Sequence, residues 1–336
     1  MSNPSFYTTL MPHVMEQQRL DFQKLCTSFK TSRLPGRSIT IDHDVSRDTK
    51  GILYVHGLGS NRKVWVKCAD IARKSGIGVA MFDLAGHGQY AEEASGPFTM
   101  EQMKIDIVTV LEFLQENYPH VQWLMVGHSY GANIVLELAA RGQELGILGA
   151  VCVDGGFISL RDVYETIEDC KASPLVPPSA FTQEGIPFPD LMRTVRELWL
   201  REPREDSIQA LLANFTPPSS IESAASGASN LVRTRVSREV FMELLIDLYR
   251  HSPRDLKVDP AKASPVLLLP AARTQINAFT KNKRDDVAKV YNGPGLKKVI
   301  VDMDCDVHEM PLELPDQLSE LIARELTPKG LFSGES

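Results

Sequence analysis

Apolar positions along this chain fall into short unbroken runs, separated by stretches in which they recur every three or four residues. GILYVHG (Gly51–Gly57), GVAMFD (Gly78–Asp83), WLMVG (Trp123–Gly127) and GAVCVD (Gly149–Asp154) are runs of the first kind. Such runs fit strands buried on both faces. Between them Met103, Ile107, Val110, Leu111 and Leu114 keep a helical period behind Thr99 and Gln102, which have the spacing of a capping box. A helix containing Val and Ala is expected after GILYVHG, and YGANIVLELAARG reads as another after WLMVG. Strand and helix alternate, so the fold class is α/β, a mostly parallel central sheet flanked by helices.

The alternation stops near Phe157. From there to Lys262 the segments PDLMRTVRELWL, DSIQALLANF and SREVFMELLIDLYRH are helical in pattern, with Pro- and Ser-rich stretches between them and no convincing strand. The sheet pattern resumes at PVLLLPA (Pro265–Ala271) and KKVIVDMD (Lys297–Asp304), and a closing helix is expected from Pro315 to about Leu326. Before SITIDH, a possible further strand, HVMEQQRLDFQKLCTSF reads as an amphipathic helix. The organisation expected is an N-terminal helical extension over 1–35, a core over 36–156 and 263–336, and a helical insertion over 157–262.

One apolar run ends unusually. After WLMV the chain reads Gly-His-Ser129-Tyr-Gly and then turns amphipathic, the pattern of a nucleophile elbow: a Ser with glycine at both second neighbours, between strand and helix. Bulkier side chains at 127 and 131 would collide with backbone in so tight a turn. The helix starting near Tyr130 offers unpaired N–H groups and a positive dipole end to a developing oxyanion. His56-Gly-Leu-Gly59 directly follows another strand, and its Leu58 N–H is the expected partner of the Tyr130 N–H in an oxyanion hole. His308, between the last strand and the closing helix, is the histidine best placed to take and return the proton of Ser129. His56, Gly57 and His128 are expected to border the substrate pocket.

Composition narrows the classes. Of 336 residues 43% are apolar and 24% charged, ordinary for a globular protein. A net charge of -7 gives no electrostatic reason to expect nucleic acid or an anionic membrane as partner. No apolar run approaches the roughly 20 residues that span a bilayer, and the first residues lack a basic region followed by an apolar core. Five scattered cysteines, without a CxxC pair, read as reduced thiols in a cytoplasmic protein. No HExxH, GxGxxG or P-loop pattern occurs, so neither metal nor cofactor is expected. Composition and pattern leave the oligomeric state open.

HGLG at 56–59, DLAGHG at 83–88, GHSYG at 127–131, VDGG at 153–156 and the loop ending in His308 together make the chain resemble the α/β-hydrolase fold superfamily. The resemblance runs from about Ser38 to Leu326 apart from the insertion. It implies a Ser–His–acid triad, and in similar proteins the segment matching DLAGHG shapes a turn near the site mouth. Members most often carry the acid just after the strand matching PVLLLPA, but here AARTQINAFTKNK follows, with no acid before Asp285. Asp154 is the acid expected instead, because some members place it after the earlier strand and the order Ser129, Asp154, His308 then suits the fold. Asp304, Asp306, Asp285 and Asp286 are the other candidates.

Members that open epoxides or displace halide carry Asp at the elbow, so Ser129 points to attack on an acyl carbonyl instead. The insertion is expected to form a cap over the site. Trp199, Phe215, Phe241, Leu244, Leu245 and Leu248 offer it apolar surface, mostly for packing cap helices together. Arg193, Arg196, Arg233, Arg235 and Arg238 are read as a solvated face. The activity expected is hydrolysis of a small or medium, largely apolar ester, a small-molecule substrate. Carbon–carbon bond hydrolysis with the same triad and a non-catalytic ligand receptor are the alternatives.

Overall fold

The computed structural model describes residues 26–30, 38–45, 48–88, 91, 96–173, 185–216, 231–271 and 283–333. Eight strands form one sheet: β1 (Cys26–Lys30), β2 (Ser38–Asp44), β3 (Lys50–Val55), β4 (Gly78–Phe82), β5 (Gln122–His128), β6 (Ile147–Val153), β9 (Val266–Leu269) and β10 (Lys298–Ile300). Their order is β1-β2-β4-β3-β5-β6-β9-β10, and β2 alone runs against both of its neighbours. From β4 to β10 every pairing is parallel.

Side chains alternate across the buried strands, and both faces are covered. Leu53, Val55, Trp123 and Met125 join one core, while Ile52, Tyr54, Leu124 and Val126 join the other. That is why these strands read as continuous apolar runs rather than alternating ones. The helix Met100–Asn117 starts where Thr99 accepts a hydrogen bond from the Gln102 N–H at 3.2 Å. Gln102 itself reaches forward to Asp106, so only the Thr half of the expected box forms.

The chain leaves β3 toward β4 on one side and returns to β5 on the other. This reversal makes a topological switch point, and ligands of open α/β sheets bind outside the carboxyl ends of such strands. His56 follows β3 and Ser129 follows β5, so both lie at this crevice.

Three expectations are corrected. Cys26–Lys30, the end of the segment read as an amphipathic helix, is a strand antiparallel to β2, because hydrogen bonding to a neighbour overrides local period; the rest of that segment lies outside the described residues. The insertion contains a two-residue antiparallel ladder, β7 (Ile186–Pro187) with β8 (Leu231–Val232), too short for a sequence period to reveal. The run KKVIVDMD forms a strand only over Lys298–Ile300, with an isolated bridge from Met303 to Ala271.

The remaining described parts of the insertion are mainly helical: Phe188–Thr194 running into a π turn at Val195–Trp199, then Glu205–Leu212 and Arg238–Arg250. The last of these reaches the loops around the crevice. Its Phe241 ring lies against Gly59, and its Asp247 accepts from the Met100 N–H at 2.6 Å. Trp199 stacks on Phe215 with centroids 6.1 Å apart, and Phe241, Leu244 and Leu245 are buried.

Candidate active site

Ser129 follows β5 in a backbone conformation that residues other than glycine rarely adopt, φ 52° and ψ −114°. The strain is held from several sides. Its N–H donates to the Val153 carbonyl at 3.0 Å, and its own carbonyl accepts from the Ala132 N–H at 3.0 Å and from Asn133 Nδ2 at 3.1 Å. A Cβ at position 127 would lie 2.4 Å from the Gly131 carbonyl oxygen, and one at 131 would lie 2.5 Å from that of His56. Glycine at both places lets the elbow close onto the end of β3.

His308 lies in the loop between β10 and the closing helix, half-buried. Its Nε2 is 3.0 Å from Ser129 Oγ and its Nδ1 is 2.7 Å from Asp154 Oδ2. The carboxylate accepts only, so Nδ1 carries the proton, Nε2 presents its lone pair, and the Ser129 hydroxyl donates to it. Asp154 follows β6, is 5% exposed, and takes a second hydrogen bond from the Ala271 N–H at 2.9 Å. It too has a positive φ, 41°. Of the other candidate acids, Asp306 pairs with Arg201 and Asp285 is exposed on the helix Lys283–Lys289; the side chain of Asp286 lies outside the described residues.

The loop after β3 is pinned by two buried imidazoles. The Leu84 N–H donates to His56 Nε2 at 3.0 Å, which leaves the His56 proton on Nδ1, 2.8 Å from the Gly57 carbonyl. In the same way the Gly59 N–H donates to His87 Nε2 at 3.1 Å, and His87 Nδ1 donates to the Ala85 carbonyl at 2.9 Å. Burial lowers the pKa of both rings, that of His87 to about 3, so both are neutral donor–acceptor bridges. Within the loop the Gly59 N–H is thus taken, and the Ser60 N–H donates to the Gly57 carbonyl. Among the described residues the N–H groups of Leu58 and Tyr130 meet no acceptor.

A buried ion network braces the same region from below. Arg62, 5% exposed, bridges the carboxylates of Asp42 and Asp83 through its guanidinium, and its own N–H donates to Asp83 at 2.7 Å. Asp83 of DLAGHG is therefore an anchor for the chain leaving HGLG. Neither the bridging role of His87 nor the Arg62 network was legible in the sequence, because both depend on which loops the sheet brings together.

All three residues expected on the pocket wall are buried. His56 points both ring nitrogens and His128 its Nε2 at main-chain groups, and Gly57 packs on the Ser129 side. The arginines of the insertion divide: Arg193 pairs with Asp190 in an exposed contact, whereas Arg235 buries its Nε without an acceptor. His128, His308 and Glu309 bring donor atoms within 4.8 Å of one another. However, His128 Nε2 donates to main chain and the His308 nitrogens face Ser129 and Asp154, so the set is arranged for hydrogen bonding rather than for ligation.

Known proteins resemble parts of this chain in sequence or in fold. A family profile described as serine aminopeptidase, S33, matches residues 47–171. Protein ABHD8 of Bos taurus is 26% identical over 135 residues, 38% of this chain and 30% of that protein. The protein phosphatase methylesterase 1 of Candida albicans is 22% identical over 173 residues, 51% of this chain and 41% of that protein. The chain thus aligns with less than half the length of either relative. The crystal structure of E-2-(acetamidomethylene)succinate hydrolase superposes with a TM-score of 0.60 at 17% identity, covering 89% of this chain and 98% of that one. The chain has the fold of the α/β-hydrolases. Among its described residues no helix is long and apolar enough to cross a membrane.

Proposed function

We propose that this protein is a serine hydrolase that cleaves a small or medium, largely apolar carboxylic ester through an acyl-enzyme. One observation carries the reading: a continuous hydrogen-bonded relay from Ser129 Oγ through both nitrogens of His308 to a buried Asp154. In the first half-reaction Ser129 Oγ attacks the ester carbonyl carbon while His308 Nε2 takes its proton. The carbonyl oxygen becomes an oxyanion, stabilised by the Leu58 and Tyr130 N–H groups and by the positive end of the helix Tyr130–Ala139. The tetrahedral intermediate collapses, His308 returns the proton to the leaving alcohol, and the acyl group remains on Ser129.

In the second half-reaction water attacks the acyl-enzyme with His308 again as base, and the acid product leaves. Asp154 keeps the His308 proton on Nδ1 and stabilises the imidazolium. The insertion over 157–262 acts as a cap whose apolar side chains favour an apolar substrate; the Phe241 contact with Gly59 supports that placement. Cys68, Cys152 and Cys170 are buried thiols outside any disulfide, and burial raises the pKa of the Cys68 thiol to about 12, which accords with a cytoplasmic protein holding inert thiols.

The test is turnover of p-nitrophenyl esters of increasing acyl length by wild type and by Ser129→Ala. The reading requires wild-type turnover that the variant loses. Absence of turnover across the series would favour a non-catalytic ligand receptor, and turnover retained by Ser129→Ala would remove the nucleophile.

A further inference from the structure

His128 precedes the nucleophile and is 2% exposed. Its ring stands between the two loops that the chemistry must hold in register. On one side His128 Nε2 lies 2.8 Å from the main-chain carbonyl of His308, and the two imidazole centroids are 4.8 Å apart. On the other, a Cβ at Gly57 would lie 3.4 Å from His128 Nδ1. The edge of Trp65, itself stacked on Tyr54, closes a third side.

The tautomer follows from the partner. A carbonyl accepts only, so His128 Nε2 carries the proton. Nδ1 then holds a lone pair, and it is buried without a hydrogen-bond partner. A second proton there would create a buried cation beside an imidazole that itself becomes positive during turnover, and both burial and the charge of His308 oppose it, against the pull of Glu309 and Asp154. Glu309, Asp154 and His308 are the titratable groups facing this ring.

We propose that His128 is a positioning residue for the base: its Nε2–H, held on the His308 carbonyl, fixes the main chain that carries the imidazole and so aims His308 Nε2 at Ser129 Oγ. The inference rests on the hydrolase reading for its kinetic consequence but not for its geometry. The His308 carbonyl also accepts from the Met310 N–H at 2.8 Å, so it stays satisfied when His128 is removed. Loss of the His128 bond therefore frees the loop without leaving an orphaned buried oxygen, and its effect falls on aim rather than on folding.

The experiment compares His128→Phe, which keeps a ring and removes the donor, with His128→Gln, whose amide places an N–H near the former Nε2. Ester kinetics, thermal melting and long-range 1H–15N spectra of the histidine rings are recorded for both and for wild type. The expected result is a kcat lowered about tenfold or more in the Phe variant with KM and Tm little changed, recovery to within about threefold in the Gln variant, and a wild-type His128 ring protonated on Nε2 only at neutral pH. Wild-type kcat in the Phe variant, no recovery in the Gln variant, or a proton on Nδ1 would overturn the proposal. If wild type turns over no ester, the hydrolase reading fails by itself. The His308 ring then decides: a changed tautomer or titration midpoint in the Phe variant supports aiming, and an unchanged one overturns it.

Discussion

His308 Nδ1 lies 2.7 Å from Oδ2 of Asp154, a residue that follows the sixth strand and precedes the histidine by 154 positions. The carboxylate reaches the ring because β6 lies beside β9, and its other oxygen is fixed by the Ala271 N–H just beyond β9. The stretch after β9 thus supplies a main-chain donor here, and the carboxylate that faces His308 comes from one strand earlier.

Asp154→Asn is expected to keep the hydrogen bond from Ala271 through its amide oxygen while presenting an N–H to His308. The imidazole then turns its lone pair toward residue 154 and a proton toward Ser129. Loss of the right tautomer predicts kcat for ester hydrolysis about 10⁴-fold lower, with melting nearly unchanged. Activity close to wild type would assign the role to another carboxylate.

Arg62→Leu removes the cation that Asp42 and Asp83 share at low exposure. Two buried carboxylates without their partner predict a loss of about 3–5 kcal/mol in urea unfolding at neutral pH. A loss below about 1 kcal/mol would mean that water or rearrangement satisfies both acids.

Much of this was legible in the chain, and the boundary has a physical cause. The elbow is local: WLMV, two glycines and an amphipathic run state a strand, a tight turn and a helix within a few residues of one another. Ser129 and His308 could be named because strand ends in an α/β sheet share one edge. The strand at Cys26–Lys30 was hidden because its pairing with β2 is set by hydrogen bonds to residues a dozen positions away, while the preceding sequence has a helical period. His87 was seen only as a histidine in a turn, and His128 as a residue bordering the substrate pocket. Their work is done on main-chain groups of Gly59 and His308, which no side-chain pattern announces.

Stability should fall on mild acidification. His56, His87 and His128 have lowered pKa values in the folded chain, chiefly through burial, His87 to about 3 from an ordinary 6.5. The unfolded chain therefore binds more protons below 6.5, and the stabilisation from keeping these rings neutral is full above that value and declines as pH falls. Linkage gives up to about 1.4 kcal/mol per pH unit for each histidine. Urea midpoints between pH 7.5 and 5 should drop, and less steeply in His87→Gln; equal slopes in the two proteins would contradict the assignment.

The central claim is that Ser129 is a nucleophile activated by His308. Its most direct test is incubation with a fluorophosphonate followed by intact-mass and peptide mapping. The account predicts one adduct, on Ser129, formed by wild type and lost in both Ser129→Ala and His308→Ala. A wild-type protein that stays unlabelled, or that carries the adduct on another residue, would contradict it.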